Sequence, residues 1–193
     1  WKLALVFTLL LAGVRGDPDF PDLEIIKNSQ EDQIFADGVT EYTWEITLEN
    51  VETTPDNEFS TSVDVRLHDD WPAELVRTSI DLVSWTLDGT PVDAVLDCAP
   101  VTGTEPFDCT LPDIRPLEVV RFDVKYIIPT ENGGIVISNN ISVSADPILS
   151  FDSDPQNNWN VADIEPITSQ VHVQITKATQ NNPVVFGTTA SSA

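Results

Sequence analysis

Basic residues are scarce in this chain of 193 residues, which carries nine Lys and Arg against 32 Asp and Glu and has a formal net charge of -23 at pH 7. Proteins that bind nucleic acid need a basic stripe that neutralises phosphates, and binding to anionic lipids needs a polybasic segment. Here the basic residues are scattered among acidic ones. The composition therefore excludes nucleic acid as a partner and disfavours an anionic membrane surface, and it indicates a strongly acidic protein surface.

Methionine is absent, which predicts a chain that is processed, trimmed or read from an incomplete gene, and no hydrophobic run is long enough to span a bilayer. The N-terminal run covers only residues 3–14, whereas a transmembrane helix needs about 20 apolar residues. The run follows Lys2 and precedes small residues and Asp17, a pattern typical of secretory signal peptides. We expect residues 1–16 to be either a signal peptide or a retained hydrophobic segment that packs against partner subunits. Both alternatives predict export.

Cysteine is limited to Cys98 and Cys109, which flank a turn-rich segment. This spacing excludes the paired Cys-x-x-Cys motifs of zinc and redox sites. In an exported chain an even number of cysteines favours a disulfide, and a bridge that closes so short a loop is typically worth about 3 kcal/mol. We predict a Cys98–Cys109 disulfide; the alternative is a pair of free buried thiols.

A helical hydrophobic period is also lacking. Beyond residue 22, apolar and polar residues alternate with a period of two, as in half-buried β-strands; clear examples are residues 42–48, 63–67 and 120–126. Asp88-Gly89 and the Glu-Asn-Gly-Gly sequence at 131–134 have the composition of tight turns. Strands with one apolar face bury it by packing sheet on sheet. The fold predicted is all-β, an Ig-like antiparallel β-sandwich with extra terminal segments.

Several short motifs occur in an order that is known from one family. The series begins with a short strand that ends in Lys, a strand that contains Tyr-Thr-Trp, and a strand that ends in Asp-x-x-Pro. It continues with a Cys followed by a Leu-Pro turn, a strand that contains asparagines, and an acidic loop that ends in paired asparagines. They lie at residues 23–27, 42–48, 63–72, 109–117, 137–143 and 152–158. This series resembles the conserved repeat domain of unknown function, the eleventh in that series, of bacterial and archaeal surface proteins. The resemblance covers residues 23–166 and implies an Ig-like surface domain.

The end of the chain resembles the beginning of the sandwich. Residues 173–180 align with residues 23–30, with identities at Ile175, Lys177 and Gln180. We therefore divide the chain into a hydrophobic segment (1–16), an Ig-like β-sandwich domain (17–166) and an extra strand with a tail (167–193). The last segment either belongs to the same domain or starts a second repeat, and an unpaired strand of this kind can add to the sheet of a neighbouring subunit.

Catalytic motifs are missing from the sequence. It has no Gly-rich phosphate loop, no His-Glu-x-x-His and no Gly-x-Ser-x-Gly. Both histidines, His68 and His172, are predicted to lie on the surface, and the acidic residues are expected in turns and on outward strand faces. We predict that the protein is not an enzyme; a glycosidase would need two carboxylates converging in a cleft.

One acidic loop contains the oxygen-bearing side chains of Asp152, Asp154, Asn157 and Asn158. Such ligands suit Ca²⁺, although their spacing is not that of an EF-hand. The alternative is an Asx-turn connection in which these side chains cap backbone groups. We predict no cofactor, with calcium as the single candidate. The pair Asp69-Asp70 is a weaker cation candidate.

Two further kinds of binding or modification site are predicted. Asn140 begins the sequon Asn-Ile-Ser and falls on the outward phase of its strand, where a glycan can be accommodated. The exposed rings of Trp71, Trp85 and Trp159 would form a carbohydrate platform; the alternative is that these tryptophans belong to the core or cover a strand edge.

These features predict a secreted or cell-surface structural module, a subunit or spacer of an extracellular filament, stalk or surface layer. We expect self-association with identical subunits or neighbouring repeats through residues 1–16 and 171–193. Copies with a charge of -23 repel one another, so association should depend on salt. The alternative function is a calcium- or carbohydrate-dependent adhesin or binding module.

Overall fold

The computed structural model describes residues 20–52 and 60–168. The predicted hydrophobic segment 1–16, residues 171–193 with His172, and the tail of the third predicted segment lie outside the described residues. Within the two described ranges the structure is made of β-strands and one 3₁₀ turn, Thr130–Asn132. No helix in these ranges is long and apolar enough to cross a membrane.

The strands follow one another with short connections. In chain order they are β1 (Leu23–Ser29), β2 (Phe35–Ala36), β3 (Glu41–Asn50), β4 (Arg66–Asp69), β5 (Val76–Leu87), β6 (Thr90–Pro91), β7 (Asp97–Ala99), β8 (Phe107–Thr110), β9 (Glu118–Ile127), β10 (Ile137–Ser144), β11 (Trp159–Ile164) and β12 (Ile167–Thr168).

Two five-stranded antiparallel sheets make up the domain. The first has the order β1-β3-β9-β5-β6, and the second has the order β11-β10-β4-β8-β7. The short strands β12 and β2 pair in parallel beside them. The fold is an all-β, Ig-like sandwich, which confirms the prediction.

The core lies between the inward faces of the two sheets, because apolar side chains alternate with polar ones along the long strands. β3 buries Tyr42, Trp44, Ile46 and Leu48, as predicted from residues 42–48. β9 shows the same alternation over its ten residues, which confirms the strand predicted at 120–126. The strand predicted at 63–67 begins later, at Arg66, because Asp64 has a φ of 52° and interrupts the extended backbone.

The predicted tight turn at Asp88-Gly89 joins β5 to β6. Asp88 has a φ of 46° and Gly89 a φ of 73°. Two consecutive positive φ values are the signature of a type I′ hairpin turn, whose twist matches that of the flanking strands.

The predicted disulfide is present. Cys98 on β7 and Cys109 on β8 are directly opposite each other in the register of the second sheet, with Cα atoms 4.0 Å apart. The bridge closes a loop, residues 99–108, at the edge of the second sheet, and Cys109 belongs to the hydrophobic core.

One side of the sandwich is closed where β1 meets the second sheet. The backbone N–H of Ile25 donates to the carbonyl of Asn157 at 3.2 Å, and the N–H of Lys27 donates to Oδ1 of Asn160 at 3.4 Å. β1 is therefore in contact with both β10 and β11. At this seam Lys27 of the first sheet lies next to Asp69 of the second sheet.

Candidate functional site

A lysine lies in the core of the sandwich. Lys27 follows Leu23 and Ile25 on the inward phase of β1, so the strand alternation carries its side chain into the interior. Its Nζ lies 2.6 Å from Oδ2 of Asp69, and neither side chain is exposed to solvent. Two charges this deeply buried are costly unless they are paired, and they are held here by strands of different sheets.

An asparagine completes the cluster. Asn139 on β10 is fully buried, and it lies one inward position before Ile141, the residue opposite Asp69 in the β4–β10 register. Its carboxamide is close enough to favour the ionised form of the Asp69 carboxyl. Neither its Nδ2 nor its Oδ1 makes a hydrogen bond of regular geometry, and Oδ1 of Asp69 also has none.

Unpaired buried polar atoms are rare in folded proteins and call for an explanation. Three of them occur here in neighbouring side chains: the two amide atoms of Asn139 and one carboxyl oxygen of Asp69. The same cluster contains the amine of Lys27, which donates to Oδ2 of Asp69 and leaves Oδ1 of that carboxyl without a partner.

Aromatic rings surround the amine and exclude water from it. Nζ of Lys27 lies 4.3 Å from the ring centroid of Trp44 and 5.8 Å from that of Trp71. Trp44 in turn packs against Trp71 and Tyr126, with centroid distances of 5.4 and 4.5 Å. Electrostatic interactions are stronger in such a dry environment than in water.

Burial changes the acid–base properties of both partners. It lowers the pKa of Lys27 to about 8, although the neighbouring Asp69 acts in the opposite direction. It raises the pKa of Asp69, against the effect of Lys27. Both shifts disfavour the charged forms, so transfer of one proton from the ammonium to the carboxylate requires far less free energy here than in water.

The resulting groups have complementary chemistry. A neutral amine is a nucleophile, a carboxamide carbon is an electrophile, and a carboxylic acid can donate a hydrogen bond to the carboxamide oxygen. Lys27, Asn139 and Asp69 supply these three functions within one buried cluster.

A second buried cation lies nearby. Arg77 on β5 is only 1% exposed, and its guanidinium lies 4.9 Å from the ring centroid of Trp71 and 4.5 Å from that of Phe107. Its charge lowers the pKa of Lys27 and also that of Asp69. Burial lowers the pKa of Arg77 itself.

The structure does not bring the three predicted tryptophans together on one surface. Trp71 and Trp85 are each 3% exposed and belong to the core. Their indole N–H groups donate to the carbonyl of Leu75 at 3.0 Å and to Oε1 of Glu118 at 2.7 Å. Trp159, at the start of β11, is 57% exposed and is the one tryptophan of the three that a ligand could reach.

The sequon residue Asn140 lies on the outward phase of β10, as predicted. It is half-buried, and its Nδ2, the atom to which a glycan would be attached, donates to Oδ2 of Asp70 at 3.0 Å.

His68 is on the surface, as predicted, between Asp108 and Asp70. The hydrogen bond with Asp108 is the main cause that raises the pKa of His68.

The side chains of the acidic loop bind backbone and amide groups. Oδ2 of Asp152 accepts from the N–H of Leu23 and from Nδ2 of Asn158, both at 3.1 Å, and its Oδ1 accepts from the N–H of Asp154 at 3.0 Å. Nδ2 of Asn157 donates to Oδ1 of Asp22 at 2.8 Å. In residues 20–52 and 60–168 no three acidic, His or Cys side chains form a group that could hold a metal ion. These contacts match the Asx-turn alternative.

We predict that Asp152→Ala destabilises the domain by about 1–3 kcal/mol, because it leaves the N–H of Leu23 without its acceptor and detaches the loop from β1. Since the carboxyl oxygens of Asp152 already accept N–H donors, CaCl₂ should not change the melting temperature of either protein. Thermal unfolding in EDTA and in CaCl₂ tests both statements. A calcium-dependent rise in wild type that is lost in Asp152→Ala would instead identify a cation site.

The sequence analysis did not predict that Lys27, Asp69 and Asn139 form a buried cluster, although it noted the motifs that contain them. Asp69 and Glu118 also correct the expectation that the acidic residues all face outward, since they are 0% and 2% exposed. A signal was present in the sequence: Lys27, Asp69 and Asn139 each occupy the apolar phase of an alternating strand.

No protein-family model matches this chain, and no curated protein sequence matches it. Among solved structures, it is similar to the collagen-binding subdomain of the Enterococcus faecalis surface protein ACE, with 11% identity, a TM-score of 0.48, and 73% of this chain and 95% of that one covered. A cohesin module from a Clostridium perfringens family 33 glycoside hydrolase has 8% identity and a TM-score of 0.48, with 77% and 98% covered. The Streptococcus pneumoniae pilus backbone RrgB has 10% identity and a TM-score of 0.43, with 64% and 31% covered.

Proposed function

We propose that this protein is a non-enzymatic, secreted or cell-surface structural module that cross-links its own two sheets through an amide bond between Nζ of Lys27 and Cγ of Asn139. The observation that carries the proposal is the fully buried Lys27–Asp69 pair, 2.6 Å apart, beside a buried carboxamide whose N and O have no regular hydrogen-bond partner. The motif order further supports membership of the repeat family of unknown function described above.

The reaction begins with a proton transfer inside the pair. Nζ of Lys27 gives one proton to Oδ2 of Asp69, which leaves a neutral amine and a carboxylic acid. The amine attacks Cγ of Asn139 and forms a tetrahedral centre whose oxygen is stabilised by the acidic O–H of Asp69. Burial favours these neutral forms, as the directions of both pKa shifts indicate.

The tetrahedral centre then loses ammonia. The C–Nδ2 bond of Asn139 breaks, a proton carried by the attacking nitrogen moves through Asp69 to the departing nitrogen, and the carbonyl forms again. One amine and one carboxamide become one secondary amide and one ammonia molecule, with no oxidation or reduction. The carboxyl of Asp69 ends in the protonation state in which it started the attack, and the domain reacts once.

The position of the bond suits a module that transmits force. Lys27 is on β1 of the first sheet and Asn139 is on β10, the tenth of the twelve strands, in the second sheet. If neighbouring copies attach through residues 1–16 and 171–193, tension enters near residue 27 and leaves beyond residue 139. The amide then carries this force, and the strands between the two residues are not pulled apart. This supports a role in a filament, stalk or surface layer.

The intact mass of the purified protein tests the proposal. Wild-type protein should be lighter than its sequence mass by one ammonia and the two hydrogens of the disulfide, and a peptide joining residues 27 and 139 should appear after proteolysis. Lys27→Met, Asp69→Ala and Asn139→Ala should each lose no ammonia and differ from their own sequence masses only by the two hydrogens of the disulfide, since each removes one of the three reacting groups.

The matched control is Asn140→Ala, which removes the neighbouring asparagine on the outward phase of the same strand. It should lose ammonia as wild type does. A folded, disulfide-bonded wild-type protein whose intact mass is lower than its sequence mass by only two hydrogens would refute the cross-link.

The adhesin alternative is favoured by one observation, the exposure of Trp159. Its ring is 57% exposed at the start of the edge strand β11. Carbohydrate binding through this ring predicts glycan-array signals that Trp159→Ala abolishes and that Trp85→Phe, a change within the core, leaves in place.

A further inference from the structure

We infer that Arg77 is a positioning residue for the Lys27–Asn139 reaction and that oxidation of Cys98 and Cys109 holds it in place, so that the disulfide promotes the formation of the amide. This inference rests on the proposed function and assigns a regulator to the same site. It is carried by the contacts of one buried side chain.

The first contacts join Arg77 to the loop that the disulfide closes. Nε, Nη1 and Nη2 of Arg77 donate to the carbonyls of Val101, Glu105 and Pro100 at 3.1, 3.0 and 2.7 Å. The backbone N–H and carbonyl of Arg77 also pair with those of Gly103, at 2.8 and 3.0 Å. Every one of these partners lies between Cys98 and Cys109.

The second contacts join Arg77 to the reacting groups. Its guanidinium packs on Trp71, and the same indole ring lies 5.8 Å from Nζ of Lys27. It also packs on Phe107, which is opposite Asp69 in the β4–β8 register and two residues before Cys109. The loop, the guanidinium and the reacting pair are thus linked by direct packing.

The charge of Arg77 acts on both members of the pair. The charged groups that act on Lys27 are Asp69 from β4 and Arg77 from β5, and the rings of Trp44 and Trp71 lie beside its amine. Arg77 is therefore the second cation in this environment. A like charge lowers the pKa of Lys27, and an opposite charge lowers that of Asp69. Loss of this charge raises both pKa values.

The pH dependence of the reaction follows from these directions. The reactive pair holds one proton: a second proton at low pH blocks the amine, and loss of the last one at high pH removes the acid. If both pKa values rise, the whole rate profile moves to higher pH. A displaced Arg77 therefore moves the optimum of the reaction in the alkaline direction and slows the reaction on the acid side of the profile.

The disulfide forms by exchange with an external disulfide. The two thiols lose two protons and two electrons, and a reagent such as oxidised glutathione takes them up and becomes two thiols. Before this step the loop of residues 99–108 is not closed covalently, and the carbonyls that hold Arg77 are free to move apart. In a reducing compartment the amide would then form slowly, and it would form quickly after export.

The experiment follows the loss of ammonia during refolding. Chains recovered in denaturant are diluted into buffers of graded pH, with either oxidised glutathione or a reducing agent, and are quenched with acid for intact mass. We expect the rate on the acid side of the profile to fall about tenfold under reducing conditions and in the double variant Cys98→Ser with Cys109→Ser. In oxidised Arg77→Met the profile should move up by about one pH unit.

Two variants separate positioning from stability. Val120→Ala makes a cavity in β9, away from the loop, and should slow the reaction without moving the pH profile. Arg77→Lys keeps the charge but loses the fork of hydrogen bonds, so it should keep the profile near that of wild type if it remains folded.

The outcomes are distinguishable. If oxidised wild type loses no ammonia at any pH, both the cross-link and this inference are overturned. If it loses ammonia at the same rate with and without the bridge, or if Arg77→Met leaves the pH profile unmoved, the cross-link stands and the inference is overturned. A slower reaction without the bridge, together with the alkaline shift in Arg77→Met, supports it.

Discussion

Asn139→Ala should lower the free energy of unfolding by about 4–5 kcal/mol relative to wild type. A bond between residues 27 and 139 closes a loop of about 110 residues, and in the chain-entropy model a cross-link of that span restricts the unfolded state by this amount. The substitution breaks no regular hydrogen bond, because the amide of Asn139 makes none. In the variant Lys27 stays an amine paired with Asp69, whereas in the reacted wild type its Nζ belongs to the amide. The expected loss therefore measures the replacement of the cross-link by this ion pair.

Guanidinium unfolding at neutral pH measures this difference, with Asn140→Ala as the matched control. Since Asn140 lies on the outward phase, the control should stay within about 1 kcal/mol of wild type. The m-value should rise in Asn139→Ala, because an unfolded chain without the cross-link exposes more surface. Equal midpoints and slopes for wild type and Asn139→Ala would contradict a covalent connection between the sheets.

The second large effect concerns the ion pair itself, in an Asn139→Ala background where no amide can form. Asp69→Ala should destabilise this background by about 3–5 kcal/mol, because it leaves the charge of Lys27 buried without a partner. Adding Lys27→Met should restore most of the loss. The thioether chain has a similar length, carries no charge and can pack against Trp44 as the lysine does.

A double-mutant cycle on Lys27 and Asp69, followed by denaturant unfolding, gives the coupling free energy. Strong coupling, with the double variant within about 1–2 kcal/mol of the background, is the expected result. Additive losses from the two single substitutions would mean that the pair is not held in contact in solution. Thr43→Ala, on the outward phase of β3, serves as the control for a change outside the core.

Much of the scaffold could be predicted from local patterns. The alternation at 42–48 and 120–126 predicted β3 and β9 and their inward residues, because a strand with one buried face must alternate with a period of two. Asp88-Gly89 predicted the hairpin turn, because both of its positions need a positive φ. The strand start at Arg66 was missed, since the φ of Asp64 depends on a connection that no local pattern describes.

The candidate site was not predicted because its three residues are far apart in the sequence. Lys27, Asp69 and Asn139 each contradict the apolar phase of their own strand, but a single polar residue at such a position does not reveal its partner. β4 and β10 pair in the second sheet, and β1 reaches them only across the seam between the sheets. The pairing of strands from two sheets depends on the whole topology.

The sequence by itself determined the strand periods, the turn chemistry, the cysteine pair and the outward placement of most acidic side chains, because each of these depends on neighbours along the chain. Only the tertiary structure decided that Trp71 and Trp85 lie in the core and that Lys27 meets Asp69 beside Asn139. The burial of all five side chains depends on the packing of the two sheets against each other. The physical reason is that desolvation and charge pairing act between strands that are far apart in the sequence, such as those of Lys27 and Asp69, which are 42 residues apart, and the fold alone brings these strands together.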